Sequence, residues 1–365
     1  MKTLISTVEA TPNIAVVKYW GKRDESLILP TNSSMSFTMG DNLKTRTTVM
    51  FSEKFGADEA WLQGKKLEGK DLGEIVKILD LAREKAGGAN VKLRGRFVSM
   101  NGFPTAAGMA SSAAGMAALA CAATRALGLK LDQKELSIIA RRGSGSACRS
   151  VMGGFVEWKK GEKADGSDSY AVQVAPASHW PQIRNVIAIV DAGKKKVSSR
   201  AGMRQTIATS PLYKARLEYV PKVVEEMRKA VLARDFAKFA ELTMRESSNM
   251  HAVMLDTWPP ITYLNDISRE IMYAVREELN AEEIRGAYTF DAGPNAHIYT
   301  LEQHVPAVRE MLSGIRGVQK IIECRVGEGP RYLEGEKEQL IDPATGKVRE
   351  HSFDEKENRI IIGGI

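Results

Sequence analysis

A stretch of small residues at positions 104–120 constrains the fold of this chain more than any other feature. It reads PTAAGMASSAAGMAALA, a loop opened by Pro104 that runs directly into a helix of Ala, Gly, Met and Leu. Side chains this small let main-chain N–H groups approach an anion, and the first turn of a helix leaves such groups without partners. Ser111 and Ser112 stand where that turn begins and can add hydroxyl ligands. The stretch therefore predicts a site for the triphosphate of a nucleotide such as ATP, with a tightly packed core helix as the alternative.

Length and composition set the class of protein. With 365 residues, 43% of them hydrophobic, the chain can form two domains or one large one around a substantial core. No apolar run approaches the ~18 residues of a membrane span, and the first residues lack the apolar centre of a secretory signal. Cys121, Cys148 and Cys324 lie far apart and show no metal-ligand spacing. We therefore expect a cytoplasmic protein without a membrane segment.

The charge distribution favours an enzyme over a nucleic-acid-binding protein. Lys and Arg number 52 against 45 for Asp and Glu, a net charge of +7. The basic residues are scattered among acidic ones, apart from runs such as residues 194–196. Scattered positive charge suits a protein that handles several phosphates better than one that binds nucleic acid. An RNA-binding protein is the alternative from a different class, and steeply salt-dependent RNA binding would identify it.

Hydrophobic periodicity predicts a mixture of antiparallel strands and helices in two α+β modules. Strands are predicted over residues 3–10, 13–19, 43–52, 91–100, 155–158, 170–174, 186–191, 288–291, 296–300 and 319–325. Helices are predicted over residues 72–86, 132–142, 213–233, 236–251, 261–279 and 305–313. We place the domain boundary before the strand at 186. The predicted division is an N-terminal domain (1–185), a C-terminal domain (186–332) and a charged extension (333–365).

Basic residues cluster in segments that can bind phosphate or carboxylate groups. Lys18 and Lys22 follow an apolar strand in NIAVVKYWGK, and two ammonium groups there can hold phosphates as point charges. Arg149 stands in RRGSGSACRS, where a loop of Gly and Ser can form a main-chain nest beside guanidinium groups. Arg200 follows a lysine run in KKVSSRAGM, which reads as a wall or lid over an anionic substrate. Solvated turns with incidental charges are the alternative for each segment.

One carboxylate stands out at the end of an apolar strand. Asp291 lies in FDAGPNA, directly before a Gly–Pro turn. A carboxylate held there can take a proton from a substrate hydroxyl if neighbouring cations keep it ionised. An aspartate that only forms the turn is the alternative. The five histidines show no metal-ligand spacing, and we expect structural or surface roles for them.

Together these segments resemble the GHMP kinase superfamily and, within it, the diphosphomevalonate decarboxylases. The resemblance extends over about residues 8–300, in the family's order. It is carried by NIAVVKYWGK (13–22), LPTNSSMS (29–36), PTAAGMASSAAG (104–115), RRGSGSACRS (141–150), KKVSSRAGM (195–203), PPITYL (259–264) and FDAGPNA (290–296). It implies an α+β fold of two domains, with a left-handed βαβ N-terminal domain and a ferredoxin-like C-terminal domain. It also implies ATP and Mg²⁺ as cofactors and a homodimer.

The resemblance assigns roles to individual residues. Asp291 matches the aspartate that orients or deprotonates the substrate's 3-hydroxyl, Arg149 the arginine that grips its carboxylate, and Lys18 the lysine near the transferring phosphate. Asn13 matches the asparagine close to that arginine. The wall at the substrate's phosphate end comprises Tyr19, Lys22, Ser144, Ser146, Ser199, Arg200 and Met203. The phosphate loop comprises Pro104, Ala107, Gly108, Ala110, Ser111 and Ser112, the two serines also being implied as magnesium ligands.

The implied activity is an ATP-dependent decarboxylation of mevalonate 5-diphosphate to isopentenyl diphosphate in the mevalonate pathway. The 3-hydroxyl is phosphorylated, and the phosphate then leaves as CO₂ departs. Relatives of this kind act on mevalonate 5-phosphate or on a 3,5-bisphosphate, and a kinase without decarboxylation is a further alternative. The presence of Asp291, Lys18 and Arg149 favours a decarboxylase, and Lys22, Arg200 and Met203 favour the diphosphate as substrate.

Overall fold

The structure is a computed structural model that describes residues 4–103, 111–190 and 197–363. Its N-terminal part contains two large sheets, with helices packed on the first, and a small two-stranded sheet of β3 and β4. The strands are β1 (Leu4–Ala10), β2 (Asn13–Val17), β3 (Lys22–Asp24), β4 (Leu29–Pro30), β5 (Ser34–Thr38), β6 (Thr45–Ser52), β7 (Glu59–Leu62), β8 (Lys65–Lys66), β9 (Arg94–Asn101), β10 (Phe155–Trp158) and β11 (Ala171–Ala175). The helices are α1 (Gly69–Ala86), α2 (Ser111–Ala126) and α3 (Gln133–Gly143).

The first sheet contains β1, β6, β9, β7 and β8 in that order. Its inner face carries Val8, Val49 and Phe97, which pack against α1 and α2. The buried alanines of α2 let its main chain come close to β1 and β6, because no larger side chain separates them. The body of α2 is therefore a tightly packed core helix, while its first turn opens on the cleft described below.

The second sheet, ordered β11-β10-β5-β2, joins the N-terminal part to the C-terminal part. Val17 and Phe37 share one core cluster with Ile187, Val220 and Phe239, which belong to the C-terminal part. Fully buried apolar contacts of this kind hold the two parts in a fixed relation. Residues on β2 and residues of the C-terminal part can therefore build one site.

The C-terminal part is an antiparallel sheet with helices on both faces. Its elements are β12 (Ile183–Val190), α4 (Ser199–Thr209), α5 (Tyr213–Ala233), α6 (Phe236–Leu255), α7 (Asp266–Ala274), β13 (Gly286–Phe290), β14 (Ala296–Leu301), α8 (Val305–Gly314) and β15 (Val318–Cys324). The strand order β13-β14-β12-β15 is the ferredoxin-like arrangement. Alternate residues of β12 face opposite sides: Ile187 packs towards α5 and α6, and Val186 towards α7 and α8.

The residues after β15 return to the N-terminal part. They form β16 (Arg331–Leu333), β17 (His351–Asp354) and β18 (Arg359–Ile362). Strand β16 pairs with the free edge of β1, with Tyr332 opposite Val8. Leu340, Ile341 and Ile360 then cover Val98 on the outer face of the first sheet. The charged sequence at the end of the chain thus contains enough apolar residues to pack on this sheet.

Most predicted elements are present, and the α+β fold of two domains is confirmed. The helix predicted over 261–279 is wrong at its start: α7 begins only at Asp266, after a capping box formed by Asn265 and Ser268. The strand predicted from 186 begins at Ile183. Helix α4 was not predicted, although Ser198 caps its first turn. In the described residues, no helix has both the length and the apolarity needed to cross a bilayer.

Candidate active site

An ion pair between Lys18 and Asp291 forms the centre of a deep cleft. Lys18 follows β2, Asp291 follows β13, and Nζ of the lysine donates to Oδ1 of the aspartate at 2.8 Å. The lysine side chain is 1% exposed and the aspartate side chain 43% exposed. Burial lowers the pKa of Lys18, and the carboxylate of Asp291 opposes that shift. Burial raises the pKa of Asp291, but the charge and hydrogen bond of Lys18 bring it below its ordinary value. The carboxylate that faces the cleft is therefore ionised.

Arg149 is buried beside this pair and has no carboxylate partner within the described part of the chain. Its Nε donates to Oδ1 of Asn13 at 3.1 Å, and its Nη1 donates to Oγ of Ser34 at 2.6 Å. Asn13 is fixed in turn, because its Nδ2 donates to Oγ of Ser150 at 2.7 Å and to the carbonyl of Ser146 at 3.0 Å. A buried guanidinium held only by neutral groups leaves a positive charge available to an anionic ligand.

The residues predicted for the substrate's phosphate end line the same cleft. The cleft encloses about 490 Å³. From the predicted set it contains Asn13, Lys18, Tyr19, Lys22, Ser112, Ser144, Ser146, Arg149, Ser199, Arg200, Met203 and Asp291. These come from five separate stretches of sequence, so the fold brings together residues that are far apart along the chain.

Two further cations that line the cleft, Lys22 and Arg200, have carboxylate partners. Nζ of Lys22 donates to Oε2 of Glu25 at 2.7 Å. Nη2 of Arg200 donates to Oε2 of Glu74 at 3.2 Å and to the carbonyl of Gly143 at 3.3 Å. These partners keep the two cations in place before a ligand arrives, and an incoming phosphate would compete with them.

Tyr19 also lines the cleft. Its ring lies edge-on against Trp158 at a centroid distance of 4.7 Å. Its hydroxyl is buried and has no hydrogen-bond partner among the described residues, and burial raises its pKa. A neutral hydroxyl without a partner costs free energy unless a ligand satisfies it. Tyr19 is therefore suited to donate to a phosphate oxygen.

The nucleotide end of the site is described only in part. Helix α2 begins at Ser111, and Ser112 lines the cleft. Predicted loop residues Pro104, Ala107, Gly108 and Ala110 lie outside the described residues, as do the lysines at 194–196. In the described ranges, no group of three or more His, Cys, Asp or Glu side chains could hold a metal ion.

Two buried histidines flank the Lys18–Asp291 pair and were not singled out from the sequence. Burial lowers the pKa of His251 and of His297 to about 4, and the charge of Lys18 contributes to both shifts. Nδ1 of His297 lies 3.2 Å from Nδ2 of Asn185. Both rings are neutral near pH 7, so they add little charge beside the ion pair.

Other residues of the site were missed because their sequence context is that of an ordinary core. Ile28 and Met250 give the cleft an apolar wall. Arg216 and Glu246 contact the main chain of Lys18. Arg216 lies within α5 and Glu246 within α6, and both helices have the periodicity of amphipathic helices. No motif signal could have distinguished them.

Comparison with known proteins gives two family matches that together span most of the chain. The family model described as the diphosphomevalonate decarboxylase-like N-terminal domain matches residues 10–171. The model described as the mevalonate 5-diphosphate decarboxylase C-terminal domain matches residues 185–320. The two matches leave residues 172–184 between them.

Individual relatives agree with these matches. The diphosphomevalonate decarboxylase of Candida albicans is 47% identical, over 89% of this chain and 97% of the relative. The solved structure of mevalonate diphosphate decarboxylase from Trypanosoma brucei has a TM-score of 0.85 and 37% identity, over 92% of this chain and all of the other. A structure described as MDDEF in complex with MVAPP, AMPPCP and magnesium has a TM-score of 0.83 and 37% identity, with the same coverage. The predicted resemblance is confirmed: the chain belongs to the diphosphomevalonate decarboxylase family, the ATP-dependent decarboxylases of the mevalonate pathway.

Proposed function

We propose that this chain converts mevalonate 5-diphosphate, with ATP, to isopentenyl diphosphate, ADP, phosphate and CO₂. The observation that carries the proposal is the placement of three groups in one cleft. An ionised Asp291 paired with Lys18 lies in the same cavity as the buried Arg149, which has no carboxylate partner among the described residues. A carboxylate, an ammonium and a free guanidinium are the groups that phosphorylation of a hydroxyl next to a carboxylate requires.

In the first step, Asp291 orients the substrate's 3-hydroxyl and accepts its proton. The hydroxyl oxygen bonds to the terminal phosphorus of ATP as the bond from that phosphorus to ADP breaks. Lys18 keeps the carboxylate ionised before the transfer and offsets negative charge on the transferring group. Positioning and charge neutralisation account for most of the catalysis of such transfers. The low pKa of Asp291 makes it a weak base, so orientation contributes more than proton abstraction.

In the second step, Arg149 holds the substrate carboxylate while the new phosphate departs. The bond from C3 to the phosphate oxygen breaks and takes its electron pair with it. The electron pair of the bond to the carboxylate then forms the carbon–carbon double bond, and CO₂ is released. Asp291 passes the accepted proton to the departing phosphate and is again a carboxylate, which stabilises the positive charge that develops at C3 electrostatically. Arg149 must loosen its grip as the carboxylate loses charge, because only interactions favourable in the transition state raise the rate.

ATP and Mg²⁺ are proposed at the start of α2. A helix start offers unpaired N–H groups to phosphate oxygens, and Ser112 faces the cleft there. We propose Ser111 and Ser112 as magnesium ligands, with Pro104, Ala107, Gly108 and Ala110 forming the phosphate loop. Hydroxyl, phosphate and water oxygens are the ligands that Mg²⁺ accepts. When bound, Mg²⁺ neutralises charge on the nucleotide phosphates. The AMPPCP and magnesium of the MDDEF complex support this assignment.

The diphosphate, rather than the monophosphate, is the proposed form of the substrate. Lys22 and Arg200 line the cleft, and the hydroxyl of Tyr19 has no partner among the described residues. Two cations and one free hydroxyl match two phosphate groups better than one. The MVAPP in the MDDEF complex points the same way. Phosphomevalonate and the 3,5-bisphosphate are the competing substrates.

A homodimer in the cytoplasm is proposed as the working state. Leu212, Leu255 and Trp258 are 50%, 57% and 73% exposed, and Asp256 joins their segments by accepting from the N–H of Leu212 at 2.9 Å. An exposed apolar patch of this kind favours association with a second copy. Cys121, Cys148 and Cys324 are all free thiols, as expected in a reducing compartment. Sedimentation at several concentrations would measure the association.

The stoichiometry of products tests the proposed function. ADP and CO₂ are measured together after mixing enzyme, ATP, Mg²⁺ and mevalonate 5-diphosphate. We expect one CO₂ for each ADP. ADP without CO₂ would show a kinase and overturn the proposal, and neither product would overturn it as well.

A further inference from the structure

The main chain of Lys18 is held by side chains from the other half of the molecule. Oε1 of Glu246 accepts a hydrogen bond from the N–H of Lys18 at 3.0 Å. Nη2 of Arg216 donates to the carbonyl of Lys18 at 3.1 Å, and Nδ2 of Asn32 donates to the same carbonyl at 3.0 Å. Strand β2 ends at Val17, so sheet partners no longer bind these polar groups. Arg216 on α5, Glu246 on α6 and Asn32 supply the missing partners.

Arg216 and Glu246 also bind each other as a bidentate pair. Nη2 donates to Oε1 at 2.6 Å and Nη1 donates to Oε2 at 3.2 Å. Both side chains are 0% exposed. A further contact joins Nη1 of Arg216 to Oδ1 of Asn249. The desolvation cost of such a pair cancels much of its attraction, so an apolar pair of equal size would stabilise the fold comparably. Stability alone therefore does not account for two charges at this place.

We propose that Arg216 and Glu246 are positioning residues that hold Lys18 so that its ammonium meets Asp291. They bind the main-chain N–H and carbonyl of Lys18, at the opposite end of the residue from its ammonium group. Glu246 and Asp291 both belong to the C-terminal part. The hydrogen bonds from Arg216 and Glu246 therefore fix Lys18 to the same part of the molecule as its partner Asp291. This inference rests on the proposed function, in which Lys18 and Asp291 carry the chemistry.

The charge of Glu246 has a second effect on Lys18. The buried ammonium loses hydration, and the carboxylates of Asp291 and Glu246 each raise its pKa against that loss. Removal of the Glu246 charge would lower the pKa of Lys18 further, so the lysine would lose its proton at a lower pH. The charged and titratable groups around Lys18 and its main chain are Asp291, Glu246, Arg216, Arg149, His251 and His297.

Two variants test the proposal. Glu246→Gln keeps the shape of the side chain and removes its charge. The double variant Arg216→Met with Glu246→Leu removes both charges, so neither is left buried without a partner. In both we expect kcat to fall about 10- to 100-fold, as for a small misplacement of a reacting group. KM for ATP should change little in both variants, and in Glu246→Gln the alkaline limb of the kcat profile should move to lower pH.

A matched control separates positioning from stability. Asp58→Asn breaks another buried pair, in which Oδ1 and Oδ2 of Asp58 accept from Arg83 at 2.7 and 2.9 Å. This control should lower the unfolding temperature and leave kcat and its pH profile unchanged. If both test variants keep the wild-type kcat and alkaline limb, the proposal is wrong. If Asp291→Asn is inactive in that case, the proposed function stands and only this inference fails, whereas an active Asp291→Asn would overturn both.

Discussion

Lys18 and Asp291 come from opposite halves of the chain, yet Nζ of the lysine lies 2.8 Å from Oδ1 of the aspartate. The lysine is almost wholly buried, and the aspartate faces the cleft. The ammonium therefore keeps the carboxylate ionised, and the carboxylate is the group that is accessible to a substrate. Loss of the Asp291 carboxylate should therefore lower the rate of the reaction more than loss of any other group in the cleft.

Replacement Asp291→Asn should remove turnover and leave nucleotide binding intact. The amide cannot accept the hydroxyl proton, and Lys18 loses its ionic partner. We expect kcat for ADP release to fall about 10²- to 10⁴-fold, with a nucleotide Kd within about threefold of wild type, which corresponds to less than 1 kcal/mol. Asp266→Asn is the control, because Asp266 is 92% exposed on α7. Wild-type turnover in Asp291→Asn would show that Asp291 does not have the assigned catalytic role.

Replacement Arg149→Lys should affect turnover more than stability. The guanidinium bonds neutral partners through Nε and Nη1, and a single ammonium cannot reproduce this planar geometry or a bidentate grip on a carboxylate. Loss of one charged hydrogen bond costs about 1.5–3 kcal/mol, which is roughly a 10- to 150-fold loss of kcat/KM. Arg359→Lys, on an exposed strand end, is the control. Parallel losses of unfolding temperature and activity would show a structural arginine instead.

Arg200 and Glu74 should give opposite effects on substrate affinity. Arg200→Gln removes a proposed phosphate ligand, so KM for the phosphorylated substrate should rise about tenfold. Glu74→Gln removes the carboxylate that competes for Arg200 at 3.2 Å, so the same KM should fall, by up to about fivefold for a surface pair. Steady-state kinetics at saturating ATP measures both. Shifts in the same direction would mean that the pair does not compete with phosphate.

The two buried histidines should make the fold sensitive to mild acid. The unfolded chain takes up a proton on His251 and His297 below about pH 6.5, whereas the folded chain does so only near pH 4. The free energy of unfolding should therefore fall with decreasing pH, by about 1.4 kcal/mol per pH unit for each histidine. Urea unfolding at pH 7, 6 and 5 measures this slope. His297→Gln should reduce it, and an unchanged slope would contradict the assignment.

The sequence allowed much of the site to be predicted because its polar residues follow strands or stand in loops. Lys18 and Asp291 each come directly after an apolar strand, and Arg149 stands in a loop of Gly and Ser. Such positions combine a fixed main chain with access to a cleft. The chemistry of these three residues could therefore be inferred without knowing that the fold brings them together.

Other features could not be predicted, because they depend on long-range contacts. Arg216 and Glu246 look like any residues of amphipathic helices until Lys18 is placed beside them. Strand β16 forms only because the edge of β1 is free to pair with it. The start of α7 depends on a capping box at Asn265, and helical periodicity does not reveal that box.

The rate constants for four substrates test the central claim most directly. ADP and CO₂ are measured together with mevalonate, its 5-phosphate, its 5-diphosphate and its 3,5-bisphosphate. We expect kcat/KM for the 5-diphosphate to exceed that for the 5-phosphate by about 10²-fold or more, since we propose Lys22, Arg200 and Tyr19 as partners for two phosphate groups. We expect CO₂ to equal ADP for the substrates that carry a 3-hydroxyl. A kcat/KM for the 5-phosphate or for the 3,5-bisphosphate that equals or exceeds that for the 5-diphosphate would contradict the account.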